Sequence, residues 1–138
     1  MSLRHISPTE WPTVLPRIMP LVLASVNTGQ DEWDIGALDI AIQRGQVLAF
    51  AVVQDGMAVA FIAGQFIYYP LKTTFLVTFL AGRLQQCQKE IEELDAFARA
   101  GGATEAEAYA RDSVARRLRK YGFEKVANFL RRPLAVKH

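Results

Sequence analysis

Hydrophobic and polar positions follow different rhythms along successive stretches of this 138-residue chain. Residues 3–6 have the length and pattern of a short strand. Ser7-Pro8-Thr9-Glu10 then reads as a helix start, with Ser7 as N-cap, Pro8 as first helical residue and Glu10 as reciprocal partner of a capping box. Pro12, Pro16 and Pro20 follow at four-residue spacing. Each removes a backbone hydrogen bond and crowds the preceding turn, which predicts a kinked or broken first helix, best formed over residues 17–26 and closed at Gly29. Asp31-Glu32-Trp33-Asp34 carries the cap and first-turn acids of a second helix, whose stripe Ile35, Leu38, Ile42 ends at Arg44-Gly45.

The rhythm then changes. Residues 47–54 form a nearly continuous apolar run, Asp55-Gly56 is a hairpin signal, and residues 57–69 and 72–80 form two more runs separated at Pro70. Strands apolar on both faces belong in a covered sheet, and Gly64 in the middle run marks a bulge or a bend. After Ala81-Gly82, the positions Leu84, Cys87, Ile91, Leu94 and Ala98 form a helical stripe with Gln85, Lys89, Glu92, Glu93 and Arg99 opposite. Gly101-Gly102 closes that helix. Residues 104–110 alternate, with Glu105, Glu107 and Tyr109 on one face and Ala106, Ala108 and Ala110 on the other. Asp112 or Ser113 caps a basic helix that runs to Tyr121 and stops at Gly122, and residues 123–134 read as a last hairpin or bent strand. The order predicts an α+β fold in one domain: a mixed, mostly antiparallel sheet with helices on both faces and one parallel strand–helix–strand crossover over residues 73–110.

Composition narrows the chemistry. The chain is 51% hydrophobic and 22% charged, enough to build a core without staples and too apolar for a disordered chain. No stretch has the length of a membrane span, and the first residues lack the pattern of a secretory signal. The single cysteine, Cys87, cannot form an internal disulfide, and its place on the apolar stripe favours a small buried hydrophobe over a reactive thiol. The two histidines, His5 and His138, stand outside any cluster and are expected as solvated surface residues, so neither a metal site nor a serine triad is expected. The net charge of +2 conceals an asymmetry: residues 1–110 hold 7 Lys/Arg against 12 Asp/Glu, and residues 111–138 hold 9 against 2. A basic C-terminal fifth suits a phosphate-bearing ligand, nucleic acid, an acidic partner or simply a solvated face.

This order of elements, together with Arg116-Arg117-Leu118-Arg119-Lys120-Tyr121-Gly122-Phe123-Glu124-Lys125-Val126, resembles the GNAT superfamily of acyl-CoA-dependent N-acyltransferases over nearly the whole chain. A narrower resemblance is to GNAT-like proteins of phages and prophages. It rests on Arg44-Gly45, Tyr69-Pro70, Leu80-Ala81-Gly82, Ala98-Arg99, and an Arg-led helix from Arg111 to Gly122-Phe123. The superfamily resemblance implies a GNAT-like fold, acetyl-CoA as cosubstrate and an amine acceptor. It places Phe79, Leu80, Ala81, Gly82, Arg83 and Leu84 against pantetheine and pyrophosphate, where loop amides and a helix N-terminus favour phosphate oxygens. Arg111 and Arg116 would sit near the phosphates.

The sequence departs from the family pattern at several of these places. In the family's R/Q-x-x-G-x-G/A motif, with Gly82 as first glycine, Phe79 replaces the Arg or Gln and Leu84 occupies a position of close backbone approach. Arg83 is either a compensating phosphate partner or a solvated residue at a helix start. The family's usual acid, a tyrosine four residues before the Gly of Gly-Phe, falls on Leu118, and the usual carboxylate base has no match in residues 72–80. Glu105 and Glu107 are the candidate bases and Tyr109 the candidate acid; as an ordinary solvent face they would have no such role. Two functions remain open: an acetyl-CoA-dependent N-acetyltransferase with a degenerate site, and a catalytically inactive phage or prophage protein serving as a binding or assembly module. The resemblance implies a cytoplasmic protein in the bacterial host of a phage or prophage. Its expected partners are CoA or another phosphate-bearing ligand, and a second copy or a phage protein. No nucleic-acid recognition motif accompanies the basic tail.

Overall fold

A computed structural model describes residues 1–27 and 32–134. Five strands form one sheet in sequential order: β1 (Ser2–Ile6), β2 (Leu48–Gln54), β3 (Met57–Tyr68), β4 (Thr73–Gly82) and β5 (Glu105–Ala108). The first three junctions are antiparallel and β4 pairs with β5 in parallel. The crossover between them carries a 3-10 turn (Leu84–Gln86) and helix α3 (Gln88–Ala100). Helices α1 (Trp11–Asn27) and α2 (Ile35–Gln43) cover one face of the sheet and α3 covers the other. A short helix, α4 (Asp112–Leu118), and a 3-10 turn (Arg119–Tyr121) follow β5. The α+β architecture, the covered sheet and the single parallel crossover are those expected from the sequence.

Local signals explain most element boundaries. The capping box closes as expected: the Ser7 amide donates to Glu10 Oε1 at 3.1 Å and the Glu10 amide to Ser7 Oγ at 3.2 Å. Asp34 caps α2 by accepting from the Ala37 amide at 2.7 Å. Trp11 is fully buried, and its indole donates to Asp39 Oδ1 at 2.8 Å, so the bulkiest core side chain satisfies its one polar atom while joining α1 to α2. The stripe Leu84, Cys87, Ile91, Leu94, Ala98 is buried throughout. Gly29 and Asp31 lie outside the described residues.

Three expectations are corrected. Helix α1 is continuous from Trp11 to Asn27, with Pro16 and Pro20 inside it, rather than broken before residue 17. The four-residue spacing puts Pro12, Pro16 and Pro20 on one exposed stripe, where water takes up the freed carbonyls, while Trp11, Ile18, Val22 and Ser25 are buried opposite. Neither Asp112 nor Ser113 is the cap of α4; Arg111 occupies that position and supplies no side-chain bond. Residues 123–134 form neither hairpin nor strand. Val126 is 90% and Leu130 88% exposed, Pro133 lacks a backbone donor, and the segment is held by side chains instead: Phe129 against Tyr109, and Arg131 to Glu32.

The sheet contains one irregularity that matters for the site. Ala63 pairs with Phe79 but Gly64 pairs with Val77, leaving Thr78 as an extra residue on β4. The bulge falls where Gly64 suggested one, with the extra residue on the opposite strand. It turns the following side chains over. Phe75 and Val77 pack with α3, whereas Phe79 packs with α1 and α2, its ring edge-on to Trp33 at 5.3 Å. Gly64 permits this, because a Cβ there would stand 2.4 Å from the Leu76 carbonyl oxygen. Replacing Gly64 by Ala is expected to destabilise the fold by about 1–3 kcal/mol through overpacking. Denaturant unfolding checks this, and an unchanged midpoint would show that the bulge does not depend on the missing Cβ.

Candidate functional site

The bulge and the crossover together open the sheet. Pairing of β4 with β5 runs from Thr74↔Glu105 to Val77↔Ala108 and stops there, while β4 continues to Gly82 bonded to β3 alone. Past Ala108 the chain turns away through Tyr109 into α4. A gap therefore opens beside residues 78–82, and the hydroxyl of Thr78, the bulge residue, is buried without a hydrogen-bond partner among the described residues. Buried polar groups are nearly always satisfied, so an orphan at a parting of strands marks a place that a ligand could complete.

On the α3 side the gap is closed by apolar side chains. A cavity of about 30 Å³ is lined by Leu80, Ala108, Leu118, Phe123 and Asp95, among others. That volume suits a water molecule or two, far less than an extended ligand, so occupation of this side requires Leu118 and Phe123 to withdraw. Burial raises the Asp95 carboxyl above the ordinary carboxylate value, partly offset by Arg99.

At the far end of β4, residues 83–87 form the link to α3. Gly82 passes so close to β3 that a Cβ would meet the Val59 carbonyl oxygen, and the Arg83 amide donates to that same oxygen at 2.9 Å. The amides of Gln86 and Cys87 turn inward to Arg83 and Leu84 carbonyls, and Cys87 gives α3 no side-chain cap. From the other side, Tyr121 donates its phenol to the Leu84 carbonyl and Lys120 its ammonium to the Gln85 carbonyl. The basic segment thus meets this loop through Lys120 and Tyr121. Arg116 bonds back to the Asp112 carbonyl of its own helix at 3.4 Å, and Arg111 lines a separate open pocket of about 370 Å³ with Leu23, Trp33, Asp34 and Ile35. Phe79 and Leu84 are buried core residues, and Leu80 faces the apolar cavity. Only Arg83 of the expected loop contacts presents an exposed charged side chain.

Glu105 and Glu107 lie on β5, whereas Tyr109 falls just past its last residue, and the three have unlike surroundings. Glu105 is paired with Lys72 at 2.8 Å. Glu107 accepts from the Thr74 hydroxyl at 3.4 Å, and its charge acts on the Tyr69 phenol. Tyr109 stands against Phe129, ring centroids 5.5 Å apart. Tyr69 was not singled out as a site residue by the sequence; the Tyr69-Pro70 turn was the only signal that could have found it. The Glu107 charge and burial raise the Tyr69 phenol above its ordinary value.

Cys87 is fully buried, its thiol donating to the Arg83 carbonyl at 3.2 Å, and burial together with Glu90 raises its pKa against a smaller opposing effect of Lys120. His5 is exposed yet stacks on Phe50 at 5.0 Å, while His138 lies outside the described residues. Among the described residues no three His, Cys, Asp or Glu side chains could hold a metal ion, and no helix is long and apolar enough to cross a membrane.

No family model matches the chain, and no curated protein matches it in sequence. Solved structures match its shape along nearly the full length. A probable acetyltransferase superposes with a TM-score of 0.73 at 13% identity, covering 100% of this chain and 99% of that one. An aminoglycoside acetyltransferase from an uncultured soil metagenomic sample gives 0.70 at 19% identity, covering 98% and 100%. A ribosomal-protein-alanine N-acetyltransferase from Brucella melitensis biovar Abortus 2308 gives 0.66 at 12%, covering 96% and 99%. The chain has the fold of the GNAT acetyltransferases.

Two measurements check this description. Native Cys87 should resist a thiol reagent such as Ellman's and react only on unfolding; rapid stoichiometric labelling of the folded protein would contradict its burial. The folded state holds the Tyr69 proton more tightly than the unfolded chain does. This contribution to stability is complete below pH about 10 and disappears as pH rises through the raised value. Glu107→Gln should therefore shift one tyrosine's near-ultraviolet phenolate titration downward, and an unshifted curve would remove Glu107 as the cause.

Proposed function

We propose that the protein transfers an acetyl group from acetyl-CoA to an amine, with the acyl end held where β4 and β5 part. The observation that carries this reading is the orphaned Thr78 hydroxyl at the bulge, on a strand that has lost its parallel partner. These features fit an arm that brings amide and carbonyl groups into the gap. At the other end Arg83 and Lys120 stand at a helix start without a side-chain cap and supply positive charge for phosphates. Bound there, acetyl-CoA would supply an activated thioester.

The chain's own groups divide the proton work. Glu105 is neutralised by Lys72 and serves to fix the β3–β4 turn against β5. Glu107, without a basic partner, receives the amine proton as the new N–C bond forms. Tyr109, half exposed just past the end of β5, returns a proton to the departing thiolate as the C–S bond breaks. A second reading, a GNAT-fold binding module without catalysis, is favoured by Leu118, which fills the gap from the position where the family carries its acid.

Calorimetric titration with acetyl-CoA separates the two. We expect saturable binding, and absence of heat at millimolar ligand would overturn the enzymatic reading. With an amine acceptor, Glu107→Gln should lower kcat/KM by about 10²–10⁴, while Glu105→Gln should act mainly on stability. Equal losses in the two variants would remove the distinction between them.

A further inference from the structure

The gap beside β4 is closed by apolar side chains on the α3 side. On the side of α1 and α2 stands an open pocket of about 370 Å³. It adjoins the bulge, because its wall residue Trp33 meets the ring of Phe79, the residue after Thr78, edge-on at 5.3 Å. Arg111 borders it from the chain that leaves β5 at Ala108. The pocket therefore joins the end of α1, the start of α2 and the segment past β5 around one space.

Its lining is apolar with a few charges, and these are unequally met. Leu23, Val26, Trp33 and Ile35 form the apolar wall. Leu23 is 40% exposed, so this wall has surface that a ligand can cover. Glu32, next to Trp33, is paired with Arg131. Asp34, which also lines the pocket, accepts from the Ala37 amide at 2.7 Å and caps the positive end of α2. Arg111 is exposed, gives α4 no side-chain bond and belongs to no ion pair among the described residues. Both acids are engaged and the guanidinium is not. A free guanidinium takes a planar anion through two parallel N–H donors, and a carboxylate matches its single charge. A phosphate dianion would leave one charge unmet against the apolar wall and nearer to Asp34.

We propose that this pocket binds the carboxylate of a small ligand with an apolar framework, with Arg111 as its anion partner. The site deepens the acetyltransferase reading and rests on it for its role: the amine acceptor would itself carry a carboxylate on an apolar framework, as an apolar amino acid does. Binding requires neither acetyl-CoA nor an amine.

The test uses the full chain without any acyl donor. The probe is 4-methylpentanoate, titrated at neutral pH while the indole N–H resonances are followed by NMR. Its uncharged counterpart 4-methylpentanamide and the bare carboxylate acetate are titrated beside it. Trp11 is fully buried and bonded to Asp39, so its indole serves as an internal control. The Trp33 indole should move saturably with 4-methylpentanoate while that of Trp11 stays in place. The amide and acetate should each bind more weakly, the first for want of charge and the second for want of apolar surface. Arg111→Gln should weaken 4-methylpentanoate binding about tenfold. The proposal is overturned if Trp33 shows no saturable shift, if the amide or acetate binds as tightly as 4-methylpentanoate, or if folded Arg111→Gln binds as the parent does. Should Arg111→Gln fail to fold, the comparison of acid with amide on the parent chain decides. Acetyl-CoA calorimetry is a separate readout, so failure of this site and failure of the acetyl-transfer reading are distinguishable.

Discussion

A single extra residue on β4 governs the site. With Thr78 inserted opposite the Ala63–Gly64 junction, side chains before and after it serve different cores: Val77 packs under α3, and Phe79 packs under α2 beside Trp33. A regular strand would send Phe79 to the α3 face and turn a polar residue toward the other core. The register would then change along the rest of β4. The bulge also coincides with the last rung shared with β5, Val77↔Ala108. Local twist increases at a bulge, and a short parallel partner cannot follow it. The gap between the strands, the orphaned hydroxyl and the turn of the chain toward α4 all follow from that mismatch.

The gap is bordered by two electrostatically opposite ends. Toward the β3–β4 turn lie Glu105 and Glu107, of which only Glu105 has its charge met by Lys72. Toward the α3 start, Lys120 and Tyr121 rest on the Leu84 and Gln85 carbonyls, with Arg83 beside them. The basic C-terminal fifth is thus less concentrated than its composition suggests. Arg116 serves its own helix, Arg111 lines the pocket between α1 and α2, and Arg131 answers Glu32. One ammonium and one phenol connect the segment to the loop.

What could be read from the sequence was local. The Ser7–Glu10 box, the Asp34 cap and the Leu84-to-Ala98 stripe need only neighbours three or four residues away, and each is formed. The prolines of α1 do not break it because their cost depends on which face they occupy, and that is settled by burial of Trp11 and Ile18 opposite them. Thr78 gives no signal, since residues 73–80 are apolar or β-branched on both faces and hide the change of side. The paired faces of β5 were legible from alternation. That Glu105 is neutralised and Glu107 is not was illegible, because the distinguishing partner, Lys72, lies 33 residues away. Residues 123–134 have the composition of a strand, but side-chain anchors at Phe129 and Arg131 replace a hydrogen-bonded ladder.

The small apolar cavity constrains how such a gap can work. Leu118 and Phe123 enter it from either side of the Gly122 turn, while Tyr121, between them, is bonded to the loop before α3. A ligand entering from the α3 side would have to move all three residues together. They belong to one short segment: a seven-residue helix without a side-chain cap, followed by a single 3-10 turn. Helices this short draw their stability from packing rather than from propensity. The same contacts that close the gap are therefore those that hold the segment in place. Filling the gap and releasing the segment are linked: any ligand that takes over the surface covered by Leu118 and Phe123 must also offer Tyr121 and Lys120 new partners.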